Sequence, residues 1–225
     1  MKREYYEAYD DRYRQVHSQE LQWFCDRPTP IVLEVMNAFG ITRDHKILEL
    51  GCGEGRDAGA LLQEGYRLLA TDISQAAIGY ARRKWPEYAE HFRVLDCVSG
   101  QMEEQFDFIY GVALIHMLVE DRHRDGFYRF IRTHLKPGGI ALICTMGDGE
   151  TERRSDVSTA FDLQDRIHEP TGKAVRIAST SCRMVSLPTF REELKRNGLT
   201  VLQEGNTAVL PDFSMLMYAV VKAET

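Results

Sequence analysis

The sequence has no long apolar run, no paired-cysteine motif and no excess of basic residues. No stretch approaches the roughly 20 apolar residues of a membrane-spanning helix. The charged start Met1-Lys-Arg-Glu-Tyr-Tyr-Glu7 lacks the apolar core of a signal peptide. A net charge of −6 provides no electrostatic footprint for nucleic acid or an anionic membrane. These absences predict a cytoplasmic protein that contacts neither.

The cysteines and histidines also exclude two classes of stabilising site. The five cysteines are an odd number and form no C-x-x-C pair, so they suggest neither a disulfide framework nor a zinc site. The histidines show no metal-ligand spacing, and we predict no metal. The cysteines are Cys25, Cys52, Cys97, Cys144 and Cys182.

What the sequence does contain is an alternation of short apolar runs with helical stretches from Lys46 onward. This pattern predicts an α/β fold in which parallel strands carry helices on both faces. The predicted strands are Lys46–Leu50, Tyr66–Thr71, Phe92–Leu95, Phe106–Val112 and Ile140–Met146. The predicted helices between them are Arg56–Gln63, Ser74–Trp85 and Glu120–Leu135.

The two flanks of this alternation have a different character. Residues 1–27 are polar and aromatic and predict an N-terminal helical lid, whereas 28–225 form the main domain and begin with a helix after Pro28. Residues 147–187 lack strong periodicity, with short helices expected around Thr159–Ile167. A segment of this length favours a substrate-cap insertion. A helix after Pro188 and strands Thr200–Gln203 and Met215–Val221 complete the predicted domain.

A glycine-rich loop, Glu49-Leu-Gly-Cys-Gly-Glu-Gly55, follows the first predicted strand. Strand, glycine turn and helix let a backbone approach a ligand closely at the carboxyl edge of a sheet. The dinucleotide fingerprint G-x-G-x-x-G requires a third glycine where this chain has Arg56. The Glu49 carboxylate would repel a pyrophosphate and attract an ammonium group. The loop therefore indicates a nucleotide-like ligand other than NAD.

The second predicted strand leads into Asp72, about twenty residues beyond the loop. A carboxylate there can accept hydrogen bonds from both hydroxyls of a ribose. The alternative is an aspartate that serves only the N-terminus of the helix beginning near Ser74.

Five segments together resemble the successive motifs of class I S-adenosylmethionine-dependent methyltransferases, in the family's order and over roughly residues 30–146. Within that family the glycine loop is similar to the small-molecule branch that includes tellurite-resistance and thiopurine-type enzymes. The segments are Ile47-Leu-Glu-Leu-Gly-Cys-Gly-Glu-Gly55, Ala70-Thr-Asp-Ile73, Leu95-Asp-Cys97, Phe106-Asp-Phe-Ile-Tyr110 and Leu135-Lys-Pro-Gly-Gly139.

The resemblance implies a Rossmann-like fold, with a seven-stranded, mostly parallel sheet whose last strand is antiparallel. It also implies S-adenosylmethionine as cofactor and a role for each matching residue. Gly51, Cys52 and Gly53 would hold the methionine part, with Glu49 near its ammonium group or organising the loop, and Gly111 would line the same side. Asp72 would bind the ribose, Ile73 would pack on the adenine, and Asp96 would accept from the adenine amino group beside Cys97.

A further set of residues is predicted to bind the methyl acceptor or to remove its proton. His116 follows the fourth predicted strand at the ligand edge and is the candidate catalytic base, with packing near the cofactor as the alternative. Tyr9, Tyr13 and Trp23 are candidate substrate-binding residues, because aromatic faces stabilise a sulfonium. Packing against the body of the domain is the alternative for each of them.

The leading hypothesis is therefore methyl transfer to a small molecule through an oxygen, nitrogen, sulfur or chalcogen atom. A dinucleotide-dependent oxidoreductase and a non-catalytic S-adenosylmethionine-binding protein remain as alternatives. Neither the oligomeric state nor the identity of the acceptor follows from the residues.

Overall fold

The structure is a computed structural model that describes residues 3–23, 28–168, 171–207 and 216–224. Its α-helices are α1 (Ala8–His17), α2 (Pro30–Ala38), α3 (Arg56–Gln63), α4 (Gln75–Lys84), α5 (Asp121–His134) and α6 (Leu187–Arg196). Its strands are β1 (Lys46–Leu50), β2 (Arg67–Asp72), β3 (Phe92–Val94), β4 (Phe106–Val112), β5 (Leu135–Met146), β6 (Arg153–Arg154), β7 (Leu163–His168), β8 (Lys173–Ala178), β9 (Arg183–Met184), β10 (Leu199–Thr207) and β11 (Leu216–Ala223). In the described ranges no helix is both long and apolar enough to cross a membrane.

Seven strands form the central sheet in the order β10-β11-β5-β4-β1-β2-β3. Strands β1 to β5 pair in parallel, and β11 runs antiparallel to both β5 and β10. The predicted α/β class and the antiparallel last strand are confirmed. Met215, the predicted first residue of that strand, lies outside the described residues.

The central strands are buried on both faces because helices cover each side. Along β1, Ile47 packs into the cluster formed with α2, α3 and α4, whereas the next residue, Leu48, packs into the cluster formed with α5 and α6. Successive side chains of a strand point to opposite faces, so a doubly covered strand is apolar throughout. This burial explains why the short apolar runs of the sequence predicted these strands correctly.

The segment 147–187 differs from its prediction. The expected helices around Thr159–Ile167 are wrong: a single 3₁₀ turn, Val157–Thr159, precedes the antiparallel hairpin of β7 and β8. Alternating burial along β8 distinguishes it from a helix, because Val175 and Ile177 are buried and Arg176 between them is exposed. Period-two burial favours a strand, and the apolar face of this one packs on Val16 and Leu21 from the N-terminal segment.

Candidate active site

A cavity of about 1000 Å³ lies at the carboxyl ends of β1, β2, β3 and β4. The strand order reverses between β1 and β4, because β2 and β3 lie on one side and β5 on the other. Ligands of open α/β sheets bind at such a reversal. We call this space the loop cavity; its walls are the glycine loop, residues 72–73, 95–98, 112–114 and 117–118, and side chains of the N-terminal segment.

The glycine loop is held tightly against the neighbouring strand. The backbone N–H groups of Gly51 and Cys52 both donate to the Thr71 carbonyl, at 2.8 and 2.9 Å. Gly53 has a φ of +53°, and a Cβ there would lie 2.5 Å from the Tyr13 hydroxyl. Only glycine combines this left-handed backbone with so close an approach. The loop therefore presents bare backbone to the cavity, covered by one tyrosine.

Asp72 joins the loop to the start of α4. Its Oδ2 accepts from the Gly53 N–H at 2.9 Å and its Oδ1 accepts from the Ser74 N–H at 2.8 Å. Burial raises the pKa of Asp72 to about 6, although these two hydrogen bonds act in the opposite direction. A carboxylate oxygen can accept more than one hydrogen bond. Both oxygens of Asp72 can therefore also accept from a ligand in the cavity that this residue lines.

A second carboxylate lies beyond β3. Asp96 accepts from the Val98 N–H at 2.8 Å, from the Ser99 hydroxyl at 2.5 Å and from the Tyr6 hydroxyl at 3.3 Å. The neighbouring apolar wall consists of Ile73, Leu95, Cys97 and Val98.

Glu49 provides a third carboxylate, deep in the cavity and 3 % exposed. Burial raises its pKa well above the usual range, and the nearby Asp57 raises it further. The nearby Tyr110 hydroxyl acts in the opposite direction, but no hydrogen bond of normal geometry reaches Oε2 from the described residues. A buried acceptor without a donor is destabilising, so this oxygen fits a ligand that brings a donor or a positive charge.

Gly111 is not among the residues that line the loop cavity, and its place beside the methionine part stays a prediction. Strand β4 continues to Val112, so Gly111 lies inside the sheet, where a Cβ would be 3.4 Å from the Leu50 carbonyl oxygen. The positions that face the cavity are Val112, Ala113 and Leu114. The other eight residues predicted for the cofactor all line it: Glu49, Gly51, Cys52, Gly53, Asp72, Ile73, Asp96 and Cys97.

The N-terminal segment forms the roof of the loop cavity, with Tyr6, Tyr9, Tyr13 and Gln22 in its lining. Asp10 attaches this roof to the domain, because its Oδ1 accepts from the Ser74 hydroxyl at 2.7 Å and from the Ala76 N–H at 3.0 Å. The sequence analysis did not identify Asp10, because no motif distinguishes it from the other charged residues of its helix.

The same segment also contacts the 147–187 insertion. The Tyr9 hydroxyl donates to the Ser181 carbonyl at 2.9 Å, and Arg12 donates to the carbonyls of Ala178 and Ser179. The Ala178 N–H donates in return to the Gln15 side chain at 2.7 Å. The two flanks of the alternating region thus meet above the sheet edge.

A second cavity, of about 1560 Å³, lies between these flanks. We call it the cap cavity; it is lined by α1, the turn at 116–117, β7 and residues 179–182, with Trp23, Met146, Arg153, Ser155 and Thr159. Tyr9 and Met117 line both cavities. Of the predicted substrate-binding residues, Tyr9 therefore lies at the junction, Trp23 in the cap cavity and Tyr13 in the loop cavity.

His116 lies in the 3₁₀ turn Ile115–Met117 and lines the cap cavity. It is 4 % exposed. Burial, together with the positive charges of Arg124 and Arg12, lowers its pKa to about 3. The imidazole is therefore neutral at neutral pH.

The turn that carries His116 is fixed from behind by Arg124. This fully buried guanidinium donates to the carbonyls of Ile115 and Leu118, at 2.8 and 3.2 Å. It also pairs with Glu193 of α6, at 2.6 Å. Arg124 and Glu193 support the site without lining either cavity, and no motif in the sequence marks them.

Residues 47–139 match the family model of a methyltransferase domain. Among curated proteins, the chain is 32% identical over 108 residues to "Hemagglutinin 1" of Eikenella corrodens, covering 46% of this chain and 35% of that protein. It is also 32% identical over 106 residues to a ubiquinone biosynthesis O-methyltransferase of Rickettsia felis, covering 45% and 41%. The matched region thus spans less than half the length of either relative.

A likeness in fold extends over nearly the whole chain. An S-adenosylmethionine-dependent methyltransferase from Clostridium acetobutylicum superposes with a TM-score of 0.67 at 15% identity, covering 95% of this chain and 96% of that one. At that identity the likeness concerns the fold.

Proposed function

We propose that this protein, a class I S-adenosylmethionine-dependent methyltransferase by its matched domain and its fold, transfers a methyl group to a small organic molecule. The observation that carries this proposal is the loop cavity. It combines a bare glycine loop with five carboxylates, among them Glu49, Asp72 and Asp96, and it opens beside a second cavity large enough for an acceptor.

The residues of the loop cavity fit this cofactor. The buried Glu49 carboxyl suits the ammonium group of the methionine part, beside the backbone of Gly51, Cys52 and Gly53. Asp72 has the remaining acceptor capacity for ribose hydroxyls. Asp96 suits the adenine amino group, and Ile73 belongs to the apolar wall that would cover the ring.

When bound, the cofactor supplies a methyl group on a positively charged sulfur. The protein's contribution is to hold an acceptor atom in line with that methyl group and to exclude water. Tyr9 and Met117 line both cavities and so mark the place where the acceptor atom would lie. The roof of tyrosines shields this place from solvent.

The two segments that flank the central fold are also assigned roles in this function. We assign residues 1–27 the role of a lid and residues 147–187 that of a substrate cap, because their mutual contacts enclose the cap cavity. The chain's net charge of −6 supports a small acceptor over nucleic acid. Cytoplasmic localisation stays a prediction.

A transfer assay tests the function directly. The protein is incubated with S-adenosylmethionine labelled in the methyl group and with thiols, phenols, amines and organic acids, and labelled products are counted. Calorimetry with S-adenosylhomocysteine measures cofactor binding separately. If the protein binds S-adenosylhomocysteine and a labelled product forms, it is an enzyme. If it binds S-adenosylhomocysteine and no acceptor class gives a labelled product, the non-catalytic alternative is favoured. Stabilisation by NAD alone would favour the oxidoreductase.

Replacing His116 with glutamine is expected to lower kcat by at most about 100-fold, the lower end of the range for loss of an acid–base group, because an imidazole of such low pKa is a weak base. The neutral imidazole is placed to accept the proton of an oxygen or nitrogen nucleophile. Because the pKa of His116 is about 3, its protonation adds no step to the kcat profile between pH 5 and 8. Steady-state kinetics at several pH values measure both effects.

His134 supplies the matched control for this variant. It is a buried histidine, 5 % exposed, that lies at the end of α5 and lines neither cavity. The His134→Gln variant should retain the wild-type kcat. If His116→Gln also retains it, His116 is a packing residue only.

The affinity for S-adenosylhomocysteine is expected to fall as the pH drops below about 6. Ribose hydroxyls donate to an ionised Asp72, and the raised pKa of this carboxyl makes it bind a proton through that range. Below the pKa, Kd rises by up to about tenfold per pH unit. Above it, the contribution of Asp72 is constant.

Calorimetry from pH 5 to 8 tests this dependence. The Glu49→Gln variant distinguishes the two carboxyls, because a step that belongs to Asp72 persists in it. A Kd independent of pH across the whole range would contradict the ribose assignment.

A further inference from the structure

The cap cavity has a charge opposite to that of the protein. Its described lining contains Arg12, Arg153, Arg166 and two histidines, and no aspartate or glutamate. The whole chain, in contrast, carries 34 acidic and 28 basic residues. The loop cavity next to it is lined by five carboxylates. A cationic surface has therefore been assembled locally within an acidic molecule.

These arginines have no carboxylate to neutralise them within the described residues. Arg12 donates only to the carbonyls of Ala178 and Ser179, which are neutral. Arg153 and Arg166 are exposed and form no ion pair with any described residue. An exposed guanidinium that has no carboxylate partner is available to an incoming anion, and the charge-assisted hydrogen bond between them is about twice as strong as a neutral one.

Strand β7 supplies basic and polar side chains to the cavity and no acidic one. Its lining residues are Gln164, Arg166, Ile167 and His168, so both faces of the end of the strand reach the cavity. Asp165, the acidic residue of this strand, does not line it and pairs across the hairpin with Arg176.

We infer that the cap cavity binds the methyl acceptor through an anionic group, so that the acceptor is a small organic acid carrying a carboxylate or a phosphate. This inference rests on the proposed function, because only a methyltransferase would use the bound molecule as a methyl acceptor. The anion lies against the arginines, and the body of the molecule lies along Trp23, Tyr9 and Met117 toward the junction with the loop cavity.

The aromatic side chains indicate the shape of that body. The Arg12 guanidinium lies over the rings of Tyr9 and Trp23, 5.2 Å from each centroid. Such an arrangement places a charge next to flat apolar faces. An acceptor with a planar apolar body and an acidic group matches both features, whereas a cationic acceptor is repelled.

Binding of four probes tests this inference without any methyl transfer. Benzoate, phenyl phosphate, benzamide and benzyltrimethylammonium share one aromatic ring and differ in charge. Their Kd values are measured by saturation-transfer NMR, with and without S-adenosylhomocysteine. We expect at least one anion to bind about tenfold or more tightly than benzamide, the value of one charge-assisted hydrogen bond. Benzyltrimethylammonium should bind most weakly, and the better anion decides between carboxylate and phosphate.

Two arginines of the hairpin provide matched variants. Arg166→Gln removes one of the three guanidinium charges from the cavity and should reduce the preference for anions several-fold while leaving benzamide binding unchanged. Arg176 is exposed on β8 opposite Asp165 and does not line the cavity, so Arg176→Gln should retain the preference. Arg12 is left intact because it holds β8 to α1.

The inference is overturned if benzamide binds as tightly as both anions, if no probe binds, or if the two arginine variants behave alike. Its failure is separable from that of the proposed function. An anion preference without binding of S-adenosylhomocysteine overturns the function alone, and the reverse result overturns the inference alone.

Discussion

Replacing Glu193 with alanine is expected to lower the free energy of unfolding by about 3–5 kcal/mol, the cost of leaving a buried charge unpaired. Glu193 accepts from Arg124 Nε at 2.9 Å, from Arg124 Nη2 at 2.6 Å and from the Tyr128 hydroxyl at 2.7 Å. The Arg124 side chain is 0% exposed and that of Glu193 is 2% exposed. Water cannot replace the lost carboxylate there.

The same variant should also weaken the active site. Arg124 holds the carbonyls of Ile115 and Leu118, and so fixes the turn that carries His116 and Met117. A guanidinium that loses Glu193 is expected to shift toward other acceptors and loosen this turn. In the folded variant we expect KM for the acceptor to rise while the Kd for S-adenosylhomocysteine changes little.

Urea denaturation measures the loss of stability. Arg196→Ala is the control, because its pair with Asp125 lies at a surface where the arginine side chain is 50% exposed. Such pairs contribute at most about 1 kcal/mol. The double variant Arg124→Met, Glu193→Leu should recover much of the loss, since apolar residues of similar size often replace a buried pair without penalty. A loss below about 1 kcal/mol for Glu193→Ala would show that the pair is not a structural requirement.

Replacing Asp72 with alanine is expected to weaken binding of S-adenosylhomocysteine at least about 100-fold. Two hydrogen bonds from ribose hydroxyls to a carboxylate would be lost, and each charge-assisted bond contributes about 1.5–3 kcal/mol. The variant also removes the hydrogen bond of 2.9 Å that the Gly53 N–H donates to Asp72, so the glycine loop is held less firmly. Calorimetry at pH 7.5, above the pKa of Asp72, measures the change.

Asp107 is a suitable control because it has a similar set of partners at the opposite edge of the sheet. It accepts from the Lys46 N–H and from Lys136 Nζ, both at 2.7 Å. Asp107→Ala should lower stability somewhat and leave the Kd unchanged. Equal losses of affinity in the two variants would mean that Asp72 acts only through the fold.

The inner strands of the sheet were predictable because they are buried on both faces, which makes their sequences short apolar runs, whereas the edge strands β3 and β10 are largely exposed. The glycine loop was predictable because left-handed backbone and close approach restrict Gly53 to one residue type. The predicted strand Phe106–Val112 has the bounds of β4, but strand bounds alone do not show which of its last residues face the cavity, and Val112 lines it whereas Gly111 does not. The β7–β8 hairpin was missed because its stabilising partner, the side of α1 and its following turn at Val16 and Leu21, lies more than a hundred residues away in sequence.

The part of the site attributed to the methyl donor was determined by the sequence. Its members are consecutive or near-consecutive residues at the ends of adjacent parallel strands, and parallel strands bring their carboxyl ends to one edge whatever surrounds them.

The part attributed to the acceptor was decided only by the tertiary structure. The Tyr9 hydroxyl meets the Ser181 carbonyl across 172 positions of chain, and the cationic lining of the cap cavity combines Arg12 of α1 with Arg153 and Arg166 of the distant insertion. No local pattern encodes this combination, because the packing of α1 against β8 brings the two segments together. The glycine loop thus indicates what donates the methyl group, and the meeting of two distant segments determines what receives it.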